Sequence, residues 1–268
     1  IVAPGLAEVR GRPVVATGLV PSANAAITLQ AAFVVPSGEG NLLAGTGDSS
    51  GWFGLHREFH ESFEEFTIQM GVDDFYLIEP DANTIVYSTA KGIDFGTSLL
   101  TGPQSESALA VLIQSLNSSP EPGVAAVRDF TSYAAAGDEP SMFVAAPVYA
   151  DGPLAGFVAV RIGPQRISSI TTNDGTWSAE GNSGETYVVG ADNLMRSDSR
   201  LFIEDETAYL TVASDLGDVT EAQLRAMRTF ETTVLFQPIN DNDVDAAFEL
   251  GPGLAQTTNY LGVEVLQA

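Results

Sequence analysis

Two histidines in the stretch HREFH, His56 and His60, come nearest to a metal site in this sequence. Their spacing would place both imidazoles on one face of a helix, where a pair of nitrogens can chelate a metal ion. Metalloproteases of the zincin type need a glutamate directly after the first histidine and a third ligand downstream, whereas Arg57 follows His56 here. We therefore predict that the histidines pack in the interior, with no metal and no cofactor bound.

Other patterns that could do chemistry are also incomplete. DNDVD at 241–245 resembles the start of a calcium loop, but Ala246 stands where such a loop needs glycine and Pro252 where it needs glutamate. Ser-His-Asp catalysis has little support, because the only two histidines fall on one predicted helix and no nucleophile elbow accompanies them. The glycine-rich stretch GTGDSSG (45–51) does not join a predicted strand to a helix in the way that a phosphate-binding loop does. The sequence therefore predicts a binding protein and not an enzyme, and a hydrolase is the third choice.

Four charged residues fall in and around a second predicted hairpin. ETYVVG and LMRSD, on either side of an Ala191-Asp192-Asn193 turn, predict two antiparallel strands. The second strand would carry three charges on one side, in a ladder with Glu185 on the first strand: Arg196, Asp198 and Arg200. We predict a structural role for these four residues, which is to fix the register of the hairpin.

Composition narrows the classes of protein further. With 268 residues, 44% of them hydrophobic, the chain can bury one large core or two modules of ordinary size. The 35 acidic and 11 basic residues give a net charge of −24, which repels nucleic acid and anionic membrane surfaces and favours cations. An acidic surface with a single lysine suits exposure to salt, because screening weakens its self-repulsion. We therefore expect an extracellular or periplasmic location and no nucleic-acid partner.

The chain also shows few signs of covalent or membrane anchoring. It contains no cysteine, so disulfides do not contribute to its stability. The uncharged run at 141–150 is only half of a membrane span. The start at Ile1, without a signal-like segment, suggests a processed mature protein or an excised ectodomain whose anchor lies outside these residues.

Apolar periodicity predicts the order of secondary structure between residues 52 and 162. A helical stripe runs from Trp52 to Met70, and FYLIEPDANTIVYST (75–89) predicts a hairpin around a Pro-Asp-Ala-Asn turn. A helix over 105–116 and three strands follow, at 124–130, 141–149 and 154–162. These elements predict an α+β module with a five-stranded antiparallel sheet and helices on one face, which is a PAS-like arrangement.

A second module repeats this order weakly. Its hairpin, after Gly184, corresponds to FYLIEPDANTIVYS, and a helix over 220–228 follows, with strands at TTVLFQPI (232–239) and LGVEVLQA (261–268). We divide the chain into an extended segment with a short helix at 1–45, a ligand-binding module at 46–165, a connector at 166–177 and a partial second module at 178–268.

Two segments carry a resemblance to a known family. DDFYLIEPDANTIVYSTAKGIDFGTSLLTGP, with the strands after it, and GETYVVGADNLMRSDSRLF resemble the double Cache ectodomains of bacterial receptor adenylate or guanylate cyclases and chemoreceptors. The resemblance implies an extracellular sensory region whose first, membrane-distal module binds a small molecule between its sheet and its loops. The second module would pass the change towards a membrane helix, and a transmembrane or output domain would lie outside this chain.

The resemblance also implies where a ligand would bind. Amino-acid-binding members carry an arginine and a tryptophan near the third strand and an aspartate near the end of the fifth. Here VAAVRDF has Arg128 without tryptophan, and Arg161 stands in the place of the aspartate. Arg161 can either hold an anionic group of the ligand or pair with one of the chain's own acidic side chains. The other candidates are Arg128 and Asp129, which could instead form a surface pair, and four aromatic residues that could equally belong to the core or line the pocket: Tyr133, Tyr149, Phe143 and Tyr76.

Two departures from the family favour an alternative function. Residues 1–21 are broken by proline and glycine where a long helix is expected, and the second module lacks closing strands. VVATGLV (14–20) could complete that sheet, in the same or a neighbouring chain, by strand complementation. The alternative is therefore a secreted structural subunit that assembles into oligomers or filaments.

Overall fold

The computed structural model describes residue 10 and residues 19–34, 51–176, 184–240 and 242–267. The chain divides into two compact units, Ile1–Gly163 and Pro164–Ala268. Most of VVATGLV, and with it the strand-complementation hypothesis, lies outside the described residues. Within the described ranges, no helix combines the length and the apolar character that a membrane span requires.

The first unit alternates helices and strands. In chain order its elements are α1 (Asn24–Phe33), α2 (Gly51–Met70), β1 (Asp74–Ile78), β2 (Ile85–Ser88), α3 (Ala108–Ser118), β3 (Ala126–Tyr133), a 3-10 turn (Ala134–Ala136), β4 (Glu139–Tyr149) and β5 (Leu154–Ile162). The strands form one antiparallel sheet in the order β2-β1-β5-β4-β3. This sheet, flanked by helices, confirms the predicted α+β fold, and β5 has the bounds that its sequence predicted.

Helices cover both faces of this sheet and not only the one face that was expected. Successive side chains of a strand point to opposite faces, so Phe75 and Tyr76 of β1 face different helices. Phe75 stacks on Phe63 of α2 with ring centroids 5.0 Å apart. Tyr76 belongs to the buried cluster that includes Leu109 and Ile113 of α3. We call the surface that carries Tyr76 the α3 face.

Local chemistry sets the ends of several elements in the first unit. The side chain of Ser107 accepts a hydrogen bond from the Ala110 amide and so caps the start of α3. In the β1–β2 loop the Glu79 carboxylate accepts from three backbone amides, those of residues 81, 82 and 84. Gly156 lets β5 approach β1 closely, since a Cβ there would lie 2.4 Å from the Ile78 carbonyl oxygen.

The second unit is mainly helical. Its elements are α4 (Pro164–Thr172), α5 (Arg200–Glu204), α6 (Glu206–Leu216), α7 (Glu221–Phe230), α8 (Asn242–Leu250), β6 (Ala255–Thr258) and β7 (Glu264–Gln267). Strands β6 and β7 form a two-stranded antiparallel sheet. Thr220 and Gln223 form a capping box at the start of α7, where the sequence predicted a helix. The first part of the predicted connector at 166–177, up to Thr172, belongs to α4.

Two predicted β elements of the second unit take another form. The hairpin after Gly184 is reduced to an isolated bridge between Val189 and Met195, and residues 232–239 form turns with a second isolated bridge. The side-chain hydroxyls of Ser197, Thr232 and Thr233 bond to backbone amides and to the Asp198 carboxylate, in competition with a strand ladder. Leu235 has a φ of 68°, which a strand does not allow.

Candidate functional site

Three predicted ligand-binding residues, Tyr76, Tyr133 and Phe143, meet on the α3 face of the sheet. Each side chain is at most 1% exposed. The Tyr133 and Phe143 rings form a T-shaped pair with centroids 4.9 Å apart, and the Tyr76 ring lies 6.5 Å from that of Phe143. We call these three residues the aromatic wall. They belong to the hydrophobic core of the first unit, and their part in ligand binding stays a prediction.

A series of hydrogen bonds runs from the aromatic wall into the loop after β2. The Tyr76 hydroxyl bonds to that of Tyr133, which donates to Asp94 Oδ2 at 2.5 Å. Burial raises the pKa of both phenols well above the usual value, and the negative charges of Asp74 and Asp94 raise them further. Both tyrosines therefore stay neutral and act as hydrogen-bond donors.

Asp94 is the functional candidate that the sequence did not reveal. Its side chain is 1% exposed, and its second oxygen, Oδ1, has no hydrogen-bond partner among the described residues. Burial raises the pKa of Asp94 to about 6, the charge of Asp74 raises it as well, and the hydrogen bond from Tyr133 lowers it. The only signal in the sequence is a charge between apolar neighbours in GIDFG, a pattern that also fits an ordinary turn.

Asp74, at the start of β1, is a contrasting buried carboxylate. Both of its oxygens accept hydrogen bonds from the Ser88 hydroxyl. Oδ1 also accepts from the hydroxyl and amide of Thr89 and from the Ala90 amide. These bonds tie β1 to the end of β2, so Asp74 serves the fold, whereas Asp94 retains an oxygen with unused capacity.

Arg161 lies at the end of β5, where its side chain is 11% exposed. Its Nη1 lies 3.1 Å from Glu139 Oε2 and 3.6 Å from Asp73 Oδ2, and it also contacts the Ser141 hydroxyl at 3.4 Å. These contacts match the second interpretation from the sequence, in which Arg161 pairs with the chain's own carboxylates. Binding of an anionic ligand by Arg161 stays a prediction, and such a ligand would compete with Glu139.

The remaining candidates are not part of the buried aromatic wall, although Arg128 is the cross-strand partner of Phe143. Arg128 and Asp129 are exposed on β3, the edge strand of the sheet. The Tyr149 hydroxyl donates to the Pro120 carbonyl at 2.9 Å, at the far end of β4. The structure therefore gathers three of the seven predicted ligand-binding residues into one buried set.

A second polar cluster lies at the edge of the first unit, where α2 covers β2. His56 and His60 are at most 4% exposed, as expected from interior packing, and their rings stack with centroids 4.5 Å apart. His60 Nδ1 lies 2.6 Å from the Tyr87 hydroxyl. Burial, together with the charge of Lys91, lowers the pKa of His56 to about 3 and that of His60 to about 4. Within the described residues, no group of three imidazoles and carboxylates gathers as a metal site.

Lys91 completes this second cluster. Its ammonium group lies 4.2 Å from the centroid of the Tyr87 ring and less than 6 Å from those of Phe33 and Phe95, which together form an aromatic cage. It donates a hydrogen bond to the Ser88 carbonyl. Burial lowers the pKa of Lys91 to about 7, against the opposing charges of Asp74 and Glu64. The cage therefore holds a cation that has lost most of its hydration.

The four charged residues predicted to be structural do not form one ladder, because the segment is not a strand. Arg196 pairs with Asp192 at 2.9 Å. Arg200 pairs with Glu204 at 2.8 Å, and its amide donates to Glu185. Asp198 is buried, and its carboxylate accepts hydrogen bonds from three residues distant in sequence: Ser168, Thr232 and Thr233. Each charge thus has its own partner within the second unit.

The second unit also carries an open groove of about 500 Å³ along α6, which is lined by both charged and polar side chains. Glu206 and Asp215 mark its two ends on α6, and Arg228 of α7 lines it from the side. This groove contains none of the predicted ligand-binding residues, and its acidic, exposed lining offers no enclosed binding surface.

The chain was compared with protein families, curated proteins and solved structures. No protein-family model matches it, and the comparison with curated proteins found no match. It is similar to the sensor domain of the histidine kinase DctB from V. cholerae, with 14% identity and a TM-score of 0.35, over 87% of this chain and 75% of that one. It is also similar to the extracellular domain of the histidine kinase mmHK1S-Z2, with 15% identity and a TM-score of 0.36, over 79% and 74%.

Proposed function

We propose that this protein is the extracellular, small-molecule-binding sensory domain of a signal-transduction receptor, with its ligand held beside the aromatic wall and Asp94. The observation that carries the proposal is the hydrogen-bonded series Tyr76–Tyr133–Asp94 inside an otherwise apolar cluster. Burying a carboxylate costs free energy, and this one neither caps a helix nor joins two strands. Buried ionisable groups with a shifted pKa concentrate at functional sites.

The acidic character of the chain supports the proposed location outside the cytoplasm. A net charge of −24 on 268 residues is compatible with a saline exterior, where ions screen the self-repulsion of the surface. A receptor of this kind needs a membrane segment and an output domain, and we propose that these belong to parts of the protein beyond the 268 residues. The proposed role is binding and not catalysis.

A thermal-shift screen with a panel of small metabolites tests this proposal directly. A ligand that binds only the folded state raises the melting temperature by mass action, so a hit identifies the ligand class. Each hit is then measured by calorimetry on two variants that each lose one phenolic hydroxyl, Tyr133→Phe and Tyr149→Phe. Tyr133→Phe removes the donor to Asp94, whereas Tyr149→Phe removes a bond to the Pro120 carbonyl far from the wall.

We expect Tyr133→Phe to weaken ligand binding about tenfold or more, because the position of Asp94 depends on that hydroxyl. Tyr149→Phe should bind the ligand like the wild type, although each variant loses about 1 kcal/mol of stability with its hydrogen bond. Equal affinities of the two variants would place the ligand elsewhere. A panel that leaves the melting temperature of the wild type unchanged would contradict the sensory proposal itself.

The structural-subunit alternative is the second candidate, and the observation in its favour is the short β6–β7 sheet. A sheet of two four-residue strands is marginal without further partners, and Leu266 of β7 is 72% exposed. This alternative expects assembly that grows with protein concentration and disappears on deletion of residues 1–20. Light scattering that shows a monomer at every concentration would exclude it.

A further inference from the structure

Helix α2 packs on only part of the sheet face that carries Phe75. It contacts β1 there, for example through the stacked rings of Phe63 and Phe75. Phe75 pairs with Val160 of β5. Val144 of β4 pairs with Val160 and also with Val127 of β3, so one row of side chains continues this face across β5, β4 and β3.

This part of the sheet, which we call the floor, is apolar but not buried. Val127 is 60% exposed and Val148 is 39% exposed. An antiparallel sheet normally turns polar side chains towards water, so an apolar row in this position needs an explanation. The partly exposed side chains of the floor are Leu77, Met142, Val144, Ala146, Val158 and Val160.

Helix α2 carries a stripe of exposed apolar side chains. Its members are between 40% and 57% exposed, and they follow one another at intervals of four, seven and four residues, which places them on one side of the helix: Leu55, Phe59, Phe66 and Met70. The charged residues of α2 lie outside this stripe: Arg57, Glu58, Glu61, Glu64 and Glu65.

The stripe points towards the floor. His60, on the neighbouring side of α2, contacts Tyr87 of the edge strand β2. Phe66 of the stripe instead contacts Phe75 of β1, with ring centroids 5.5 Å apart. Since β5 lies next to β1 in the sheet, the stripe rises beside the floor like the upright of a stair. We call the stripe and the floor together the apolar step.

The size of the apolar step is that of a protein–protein interface. From the exposed fractions of its side chains, the step leaves roughly 700 Å² of apolar surface in water, more than the roughly 300–600 Å² of the largest patch on a typical monomer. Each partner in an interface of standard size buries about 800 Å². The step is therefore large enough to hold a partner by apolar contact.

The shape and charge of the step favour a second copy of this chain as that partner. Two identical steps related by a twofold axis fit into each other, with floor on floor and the β3 edge of each copy against the stripe of the other. Packed sheets lie about 10 Å apart, and a helix is about 10 Å thick, so α2 and the sheet of the second copy can occupy one layer. The net charge of −24 disfavours an anionic membrane, whereas two floors meet without charged side chains from β4 or β5.

We propose that the apolar step is the interface of a twofold-symmetric homodimer, with the axis running along β4 between the two floors. Such a contact is isologous and closes at two copies, in contrast to the open-ended assembly of a structural subunit. The inference depends on the shape of the first unit alone and not on any ligand.

Sedimentation equilibrium of the full chain over a range of protein concentrations tests this inference. Phe59→Glu places a carboxylate in the stripe, and Val127→Glu places one in the floor. Ile68→Glu is the matched control, because Ile68 is 74% exposed on the same helix but lies outside the stripe. Circular dichroism shows whether each variant is folded, and if one of the two interface variants does not fold, the other decides the matter.

We expect the wild type to form a dimer and no larger species. Phe59→Glu and Val127→Glu should each raise the Kd of the dimer about tenfold or more, because each buries an unpaired charge. Ile68→Glu should change the Kd less than about twofold. Raising the concentration of sodium chloride should strengthen the dimer, since salt screens the repulsion between two acidic copies.

Crosslinking tests the arrangement of the two copies. The chain contains no cysteine, so each introduced thiol is unique. Val127 belongs to the row of Phe75, which Phe66 contacts, so Val127 of one copy should lie beside the stripe of the other. A mixture of Val127→Cys and Met70→Cys should therefore be crosslinked by a short bismaleimide, and a mixture of Val127→Cys and Ile68→Cys much less.

Several results would overturn the inference without affecting the sensory proposal. These are a monomer at every concentration, a dimer that neither Phe59→Glu nor Val127→Glu weakens, a dimer that salt dissociates, or equal crosslinking of the two mixtures. If deletion of residues 1–20 converts a monomer into a dimer, the step holds a segment of its own chain. If a monomer binds zwitterionic vesicles and Phe59→Glu abolishes this binding, the step is a membrane surface.

Discussion

Replacing Lys91 by methionine measures what it costs to bury the only lysine of this chain. The side chain of Lys91 is 3% exposed, and its ammonium group contacts the aromatic cage and the Ser88 carbonyl. Methionine has a similar length and flexibility but carries no charge, so it can fill the same space. The substitution therefore isolates the electrostatic cost from the packing.

The sign and size of the effect follow from the pKa of Lys91. Burial lowers that pKa from 10.5 to about 7, so between these two values the unfolded state binds more protons than the folded state. The free energy of unfolding of the wild type must then rise with pH in this window, by about 1.4 kcal/mol per unit. From pH 7 to 9.5 the wild type should gain about 3 kcal/mol relative to Lys91→Met. Below pH 7 the full penalty applies.

Urea unfolding followed by the fluorescence of Trp52 provides the assay. The indole nitrogen of Trp52 donates to the Val86 carbonyl, and its ring lies beside that of His56, so its emission reports on this cluster. The other tryptophan, Trp177, is replaced by phenylalanine in both proteins. Since Lys91 is the only lysine, labelling with ¹⁵N-lysine also gives a single side-chain signal whose titration yields the pKa directly.

A stability difference between the two proteins that stays constant from pH 7 to 9.5 would refute this reasoning. It would mean that the ammonium group keeps its ordinary pKa, because the aromatic cage and the Ser88 carbonyl replace the lost hydration. A wild type that loses stability relative to Lys91→Met over the same range would refute it as well. Groups that titrate in both proteins cancel in the difference.

Two further substitutions test the roles of charged residues in the two units. Asp198→Ala removes a buried acceptor of several hydrogen bonds, so it should lower the free energy of unfolding of the second unit by about 3 kcal/mol or more, as measured in urea. The control Asp218→Ala, at an exposed position, should have little effect. Arg161→Ala should leave the affinity for a ligand found in the metabolite screen within about threefold in calorimetry, since Glu139 and Asp73 already occupy its guanidinium. Complete loss of ligand-induced stabilisation in Arg161→Ala would instead support the anionic ligand expected from the sequence.

Alternation and turn chemistry were sufficient to predict most of the first unit. LAGFVAVRI follows a turn at Ala150–Pro153 and is rich in apolar and β-branched residues, so its bounds could be predicted from local sequence. The α7 helix was likewise predicted from a local signal, the Thr220 cap at its start. Both signals involve residues that are close together in the chain, so they can be recognised from the sequence without knowledge of tertiary contacts.

The features that were predicted wrongly or not at all have a common physical cause, which is contact between residues far apart in sequence. TTVLFQPI has the composition of a strand, but Thr232 and Thr233 bond to Asp198, 34 and 35 positions earlier, and this contact overrides β propensity. Asp94 was missed because its importance depends on Tyr133, 39 positions away. Arg161 could be identified as a candidate, but its pairing with Glu139 could not.

The pairing of β1 with β5 determines how the first unit would respond to tension. The first residue of β1, Asp74, pairs with Arg161 near the end of β5, so the chain enters and leaves the sheet at the same end. A pull between these two points would load the backbone hydrogen bonds one after another, like a zipper, and not all together. Small displacements of the incoming helix α2 and of the segment leaving β5 therefore encounter little mechanical resistance, as the proposed sensory function would require.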